Sequence, residues 1–271
     1  MLGRRAGIGG SAAGTAVTSH DAFTDLGLRM LDIEAWYGQT QALFGVNITV
    51  PPKQIIGLFG HNGAGKSTLL RTISGVHRQA RGEVRLGSDR LTKLPAHQIA
   101  RRGLVFVREG AKVFAAVTVE EHLHLAARLA RMSGNQPVDL EVVYSQIPIL
   151  GNFRKRIGSE LSGGQRQLVA LGMAFVANPR CLMLDEPSTG LAGDALDAIF
   201  SLLKSLSAHG VSVLVAEQNP TWLAELVDRA YLLELGRIVA EGEMHEILGA
   251  GSSGQKGESH DGDQSHDGPT W

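Results

Sequence analysis

An α/β fold is what this sequence predicts, and three observations carry the prediction. The short runs 55–59, 181–184 and 213–215 are apolar without alternation, as strands are when a parallel sheet is covered on both faces. Longer stretches with helical periodicity separate such runs, at 69–75, 118–132, 163–177, 194–209 and 221–226. Strand–helix alternation of this kind belongs to α/β architectures. The first strands differ, because polar Asn47 and Thr49 stand between apolar neighbours. That pattern predicts an antiparallel layer near the N-terminus.

Taken in order, strands are expected at 29–34, 46–50, 55–59, 82–86, 103–107, 181–184, 211–216, 230–234 and 237–241. The stretch from about 115 to 178 reads as mostly helical, and we expect an inserted helical subdomain there. Residues 28–248 form the expected folded unit. Residues 1–27 are rich in Gly, Ala, Ser and Thr. Arg4-Arg5 is not followed by the Leu/Phe-rich core of an export signal, so a disordered extension is expected. From residue 249 the chain is Gly, Ser, His and Asp, with Ser259-His260-Asp261-Gly262 echoed by Ser265-His266-Asp267-Gly268. This is expected to be a flexible tail.

The 271 residues carry a formal net charge of -1, with 43% hydrophobic and 20% charged residues. That balance is ordinary for a globular protein and offers no global basic field for nucleic acid. No segment approaches the roughly 20 apolar residues that cross a bilayer, so any membrane role is expected to run through a partner. The one cysteine, Cys181, sits in an apolar run, where a small buried hydrophobe is expected.

The strongest local signal is Gly60-His61-Asn62-Gly63-Ala64-Gly65-Lys66-Ser67-Thr68, a match to GxxxxGK[ST]. It follows the apolar run 55–59 and opens a helix. Glycines let the backbone turn its N–H groups onto phosphate oxygens, and the helix N-terminus adds a partial positive charge there. Lys66 is expected to reach the β- and γ-phosphates, and the Ser67 hydroxyl to ligate Mg2+. A second motif supplies carboxylates: Cys181-Leu182-Met183-Leu184 runs into Asp185-Glu186. Asp185 is expected at the metal, and Glu186 is expected to polarise the attacking water.

Leu161-Ser162-Gly163-Gly164-Gln165 then separates this chain from other P-loop proteins. By itself it reads as a helix cap, with Ser162 at the N-cap and Gln165 three residues on. In this context the region 28–248 resembles an ABC ATP-binding domain, which implies a P-loop NTPase (RecA-like) core. The resemblance implies ATP and Mg2+ as ligands, and two such domains closing head to tail. Ser162, Gly163, Gly164 and Gln165 of one would face ATP held by the other. It puts Tyr37 of Trp36-Tyr37-Gly38 at the adenine-stacking position, against which a packed strand-end tyrosine is the plain reading. It puts Ser188-Thr189-Gly190-Leu191-Ala192-Gly193-Asp194 at the loop that crosses the dimer interface.

Two positions depart from the commonest family pattern. Glu109 stands where a glutamine usually reaches Mg2+ and water, and Gln218 stands where a histidine usually contacts the γ-phosphate. Glu109-Gly110…Val113-Phe114 with Glu217-Gln218-Asn219 resembles one of the two ATPases of branched-chain amino acid importers, and the urea and amide importers share the pattern. Arg108 and Ala111-Lys112 differ from that subfamily's usual proline and basic pair. The resemblance implies a second ATPase subunit (a paralogue or a second copy), two membrane permeases, a solute-binding protein outside, and a place on the cytoplasmic face of the membrane. A soluble ABC ATPase of an assembly machine remains the alternative. Phe114, Val117 and Val119 are candidates for the docking surface on the permeases.

Overall fold

The computed structural model describes residues 27–110, 113–191 and 193–247. Residues 1–26 of the expected extension (1–27), Leu248 and the expected tail from 249, the pair Ala111-Lys112 and Ala192 lie outside the described residues.

The described residues open with two long strands, β1 (Leu28–Tyr37) and β2 (Thr40–Val50), paired antiparallel from Leu28 opposite Val50 to Tyr37 opposite Thr40. β3 (Ile55–Phe59) follows, buried at every residue, and leads through the glycine-rich turn into α1 (Lys66–Ile73). β4 (Ala80–Leu86) returns to the other edge of β1, and the short β5 (Asp89–Arg90) extends it. The result is an antiparallel sheet in the order β2-β1-β4-β5. This is the N-terminal layer expected from the alternation at Asn47 and Thr49.

After α2 (Ala96–Arg101) comes β6 (Leu104–Val107), then a helical run: α3 (Val119–Met132), α4 (Leu140–Gln146), α5 (Pro148–Gly151) and α6 (Gly163–Val176). A capping box starts α3, Thr118 taking the Glu121 N–H while Glu121 reaches back to Thr118. β7 (Cys181–Asp185), α7 (Asp194–Ala208), β8 (Ser212–Glu217), β9 (Arg229–Glu234) and β10 (Arg237–Gly242) complete the described chain. These strands order as β10-β9-β3-β8-β7-β6, parallel except for β10.

Two cores flank this parallel sheet, and its strands feed them alternately. Ile55, Phe59, Leu182, Leu184, Val213 and Val215 point toward α3, α6 and α7. Ile56, Leu58, Cys181, Met183, Leu214 and Ala216 point toward α1 and the antiparallel sheet. An unalternating apolar run is thus a period-two strand whose faces are both apolar. Cys181 is fully buried, and burial pushes its thiol up to about 12, which makes it an inert core residue.

Some expectations shift. The helix expected at 221–226 is a single 3-10 turn at Thr221–Leu223, where the Asn219 side chain accepts hydrogen bonds from the Thr221 N–H and hydroxyl. A side chain that bonds its own backbone so close by competes with helix extension. α2 and β5 carry too little periodicity to be seen in sequence. Val119 is fully buried at the start of α3, so it is core and not a docking residue; Phe114 is 60% exposed.

Candidate functional site

The C-terminal ends of β3, β6, β7 and β8 lie at one edge of the parallel sheet, where open α/β sheets form their ligand crevices. β3 ends at Phe59, and Gly60 begins the turn so close to β9 that a Cβ there would lie 2.3 Å from the Leu233 carbonyl oxygen. Only glycine fits. Gly65 has φ +112° and forms the N-cap of α1, a conformation that costs any other residue strain. The turn therefore delivers the open N–H groups of the first turn of α1 to the sheet edge.

Lys66 is 4% exposed; its Nζ donates to the carbonyls of Gly60 (2.7 Å) and His61 (3.3 Å) and lies 3.4 Å from Glu186 Oε1. The Ser67 hydroxyl donates to Asp185 Oδ1 at 3.1 Å. Two motifs separated by 118 residues thus meet, because β8 bridges β3 and β7 in the sheet. Burial raises the Asp185 carboxyl above its ordinary range, opposed by the Ser67 hydrogen bond; Glu186 and Glu109 raise it further and Arg71 lowers it. Glu186 holds φ +47°, unusual for a residue with a side chain, and its N–H donates to the Ala216 carbonyl. Strained backbone of this sort is often kept where a side chain must be aimed.

A cleft of about 780 Å³ opens over this loop, lined by His61, Asn62, Gly63, Gly65, Lys66, Ser67, Thr68, Glu109 and Glu186. Sequence reading missed its other wall: Thr40, Gln41, Ala42 and Phe44 of β2, and Leu235, Gly236 and Arg237 at the β9–β10 turn. No motif marks these residues. The Phe44 N–H bonds the Gly236 carbonyl, and the Arg237 guanidinium lies 4.6 Å from the centre of the Phe44 ring. Tyr37, at the end of β1, is 48% exposed, and its hydroxyl is 3.4 Å from Thr68 Oγ1.

The remaining sequence candidates do not line the cleft. Ser162 caps α6, accepting from the Gln165 N–H at 3.2 Å while Gln165 Oε1 accepts from the Ser162 N–H at 3.0 Å. Gly163 and Gly164 open that helix, and a Cβ on Gly164 would lie 2.5 Å from Leu191. The cap thus packs against the loop that follows Glu186. Gln218 is exposed just past β8, whereas Glu217 beside it is 3% exposed and accepts the Ser188 N–H at 3.0 Å.

A glycine-rich turn on a helix N-terminus, a buried lysine and two carboxylates at a neighbouring strand end are the equipment of a P-loop nucleoside triphosphatase. The chain belongs to the ABC transporter family, whose model matches residues 43–189, and it is an ATP-hydrolysing transport ATPase. It is 39% identical over 207 residues to the high-affinity branched-chain amino acid transport ATP-binding protein BraG of Pseudomonas aeruginosa, covering 76% of this chain and 88% of that one. It is 36% identical over 229 residues to the probable branched-chain amino acid transport ATP-binding protein LivF of Archaeoglobus fulgidus, covering 82% and 94%. Among solved structures, it resembles an ABC transporter's ATP-binding cassette in the ADP conformation, with TM-score 0.69 and 29% identity over 82% of this chain and 94% of that one.

Proposed function

We propose that this chain is the ATPase subunit of an importer for branched-chain amino acids, working on the cytoplasmic face of the membrane. Two permeases, a solute-binding protein outside and a second ATPase subunit (a paralogue or another copy) complete the proposed machine. The likeness to two branched-chain amino acid transport ATP-binding proteins at 39% and 36% identity carries this reading. The Glu109-Gly110 and Glu217-Gln218-Asn219 signatures support it. Among the described residues no helix is long and apolar enough to cross a membrane.

In the proposed site, Lys66 and the loop from Gly60 to Thr68 hold the β- and γ-phosphates, and Tyr37 stacks on the adenine. The Ser67 hydroxyl and Asp185 carboxylate, already paired, are oxygen donors that fit Mg2+, with Glu109 a third. No cluster of three or more metal-ligating His, Cys, Asp or Glu occurs among the described residues. Bound there, Mg2+ would neutralise charge developing on the phosphates. Glu186 polarises the attacking water, Gln218 donates its amide to a γ-phosphate oxygen, and Ser162, Gly163, Gly164 and Gln165 meet the nucleotide of the partner subunit.

Glu109 also borders a second, largely apolar groove of about 530 Å³ between the 105–110 segment and the helices α3 and α6, where Phe106, Leu129 and Met173 face it. This groove is the proposed permease-docking surface, and Glu109 links it to the nucleotide. The test is co-purification of the tagged chain with the membrane proteins encoded beside it, then reconstitution in vesicles. ATP-dependent leucine uptake with the cognate solute-binding protein is expected. Uptake of urea or an amide alone reassigns the cargo, and capture of soluble partners alone favours an assembly ATPase.

A further inference from the structure

We propose that His77 and Gln79 are positioning residues that hold Tyr37 as a fixed platform for the base of the nucleotide. The inference rests on the assignment of Tyr37 to base stacking made above. Tyr37 ends β1 beside Gly38, whose φ is +63°, and nearly half of it is open to solvent. An aromatic side chain at the tip of a hairpin must be ordered by its ligand unless the protein orders it first. Here the protein orders it first.

Gln79 clasps the backbone on both sides of Tyr37. Its carbonyl accepts the Trp36 N–H at 2.9 Å. Its side-chain amide donates to the Gly38 carbonyl at 2.7 Å and accepts the Gly38 N–H at 3.1 Å. One planar amide thus satisfies both polar groups of one backbone residue, an arrangement that fixes direction as well as distance. The His77 ring packs on the Tyr37 ring, with centroids 4.5 Å apart and planes 42° from parallel. His77 Nε2 is closed to solvent and has no hydrogen-bond partner, so a base has no access to it. The imidazole therefore backs the tyrosine and does not touch the ligand at that nitrogen.

Both clasp residues belong to the segment that leaves α1. The His77 N–H bonds the Arg71 carbonyl at 2.9 Å, while the Tyr37 hydroxyl reaches Thr68 at the start of the same helix. The helix whose first turn carries Lys66 therefore meets the base platform at both ends, through Thr68 at its start and through His77 just past its last turn. The phosphate grip and the base platform are registered through one rigid element.

Binding of ATP and of inorganic tripolyphosphate, which has no base, separates this role from a general structural one. Both are measured by calorimetry on the full chain with Mg2+. Gln79→Glu puts a carboxylate oxygen against the Gly38 carbonyl, and His77→Ala removes the backing ring. Each is expected to weaken ATP roughly five- to tenfold and to leave tripolyphosphate within about twofold of the parent. His77→Phe keeps a ring and is expected to retain parental ATP affinity. Tyr37→Ala is the control for the underlying assignment, and it too should lose ATP and keep tripolyphosphate. If Tyr37→Ala weakens ATP while Gln79→Glu and His77→Ala bind it as the parent does, the clasp is refuted and the platform stands. Equal losses for ATP and tripolyphosphate in the clasp variants also refute it, and unchanged ATP binding by Tyr37→Ala removes platform and clasp together.

Discussion

At the scale of single residues, the charge on Lys66 is the centre of the site. It is nearly closed to solvent, and two carbonyls and Glu186 surround it. A phosphate entering this loop takes over a lysine already engaged by the carboxylate proposed to polarise water. Removing that carboxylate's charge removes both a competitor for Lys66 and a repulsion against phosphate. Glu186→Gln is therefore expected to bind ADP more tightly than the parent in calorimetry, while ATP turnover falls by about two orders of magnitude or more, the scale for losing a general base. Parental turnover in this variant overturns the role of Glu186. Gln218 allows a second test. Its amide donates but does not become cationic near neutral pH. The parental rate profile is expected to show no step from an imidazole at this position between pH 5.5 and 8, whereas Gln218→His introduces one.

At the scale of elements, the site is an assembly of loops that follow β3, β7 and β8. The tie between Glu217 at the end of β8 and the Ser188 N–H in the loop after β7 joins two of them. Burial is the largest influence on the Glu217 carboxyl and raises it above its usual 4.5, opposed by the hydrogen bonds from Ser188. The folded chain then holds this proton to a higher pH than the unfolded chain does. Stability conferred by the protonated form is present below about pH 4.5, and it declines as pH rises from there through the raised folded value. Glu217→Gln keeps an oxygen for the Ser188 N–H without the buried charge. It is expected to melt higher than the parent at pH 7, and the difference should close near pH 4; a melting difference that ignores pH contradicts this account. The cap of α6 shows a related economy. Ser162 occupies its own helix end through Gln165, so Ser162→Ala is expected to cost about 1 kcal/mol of stability in denaturant unfolding.

At the scale of the whole molecule, the residues around Ser162 lie outside the cleft that holds Lys66 and Glu186. That separation is what the proposed head-to-tail pair of subunits resolves, one chain's helix tip closing the other's cleft. Ser162→Arg in a Glu186→Gln background is expected to abolish ATP-dependent dimerisation in light scattering and to leave ATP binding to the monomer nearly unchanged. A variant that still dimerises with ATP speaks against the composite site.

How much of this was legible in advance depends on how local the physics is. The buried strands β3, β7 and β8 announce themselves because both faces of each are apolar, and the Gly60 to Thr68 turn announces itself because a phosphate cradle needs glycines and a helix start within nine positions. The helix cap at Ser162 is equally local. By contrast, the sequence cannot say that Arg237 and Leu235 wall the cleft, since they reach it only because β9 lies next to β3 in the sheet.

The sequence by itself determined the α/β class and the residue types that grip a triphosphate, because periodicity and backbone conformation are written in neighbouring positions; its motifs carried the resemblance to the family. Tertiary structure alone decided that Ser67 meets Asp185, that Glu217 holds Ser188 and that Gln79 embraces Gly38. Those meetings depend on a strand order that departs from chain order, and on packing that brings distant residues within hydrogen-bond reach.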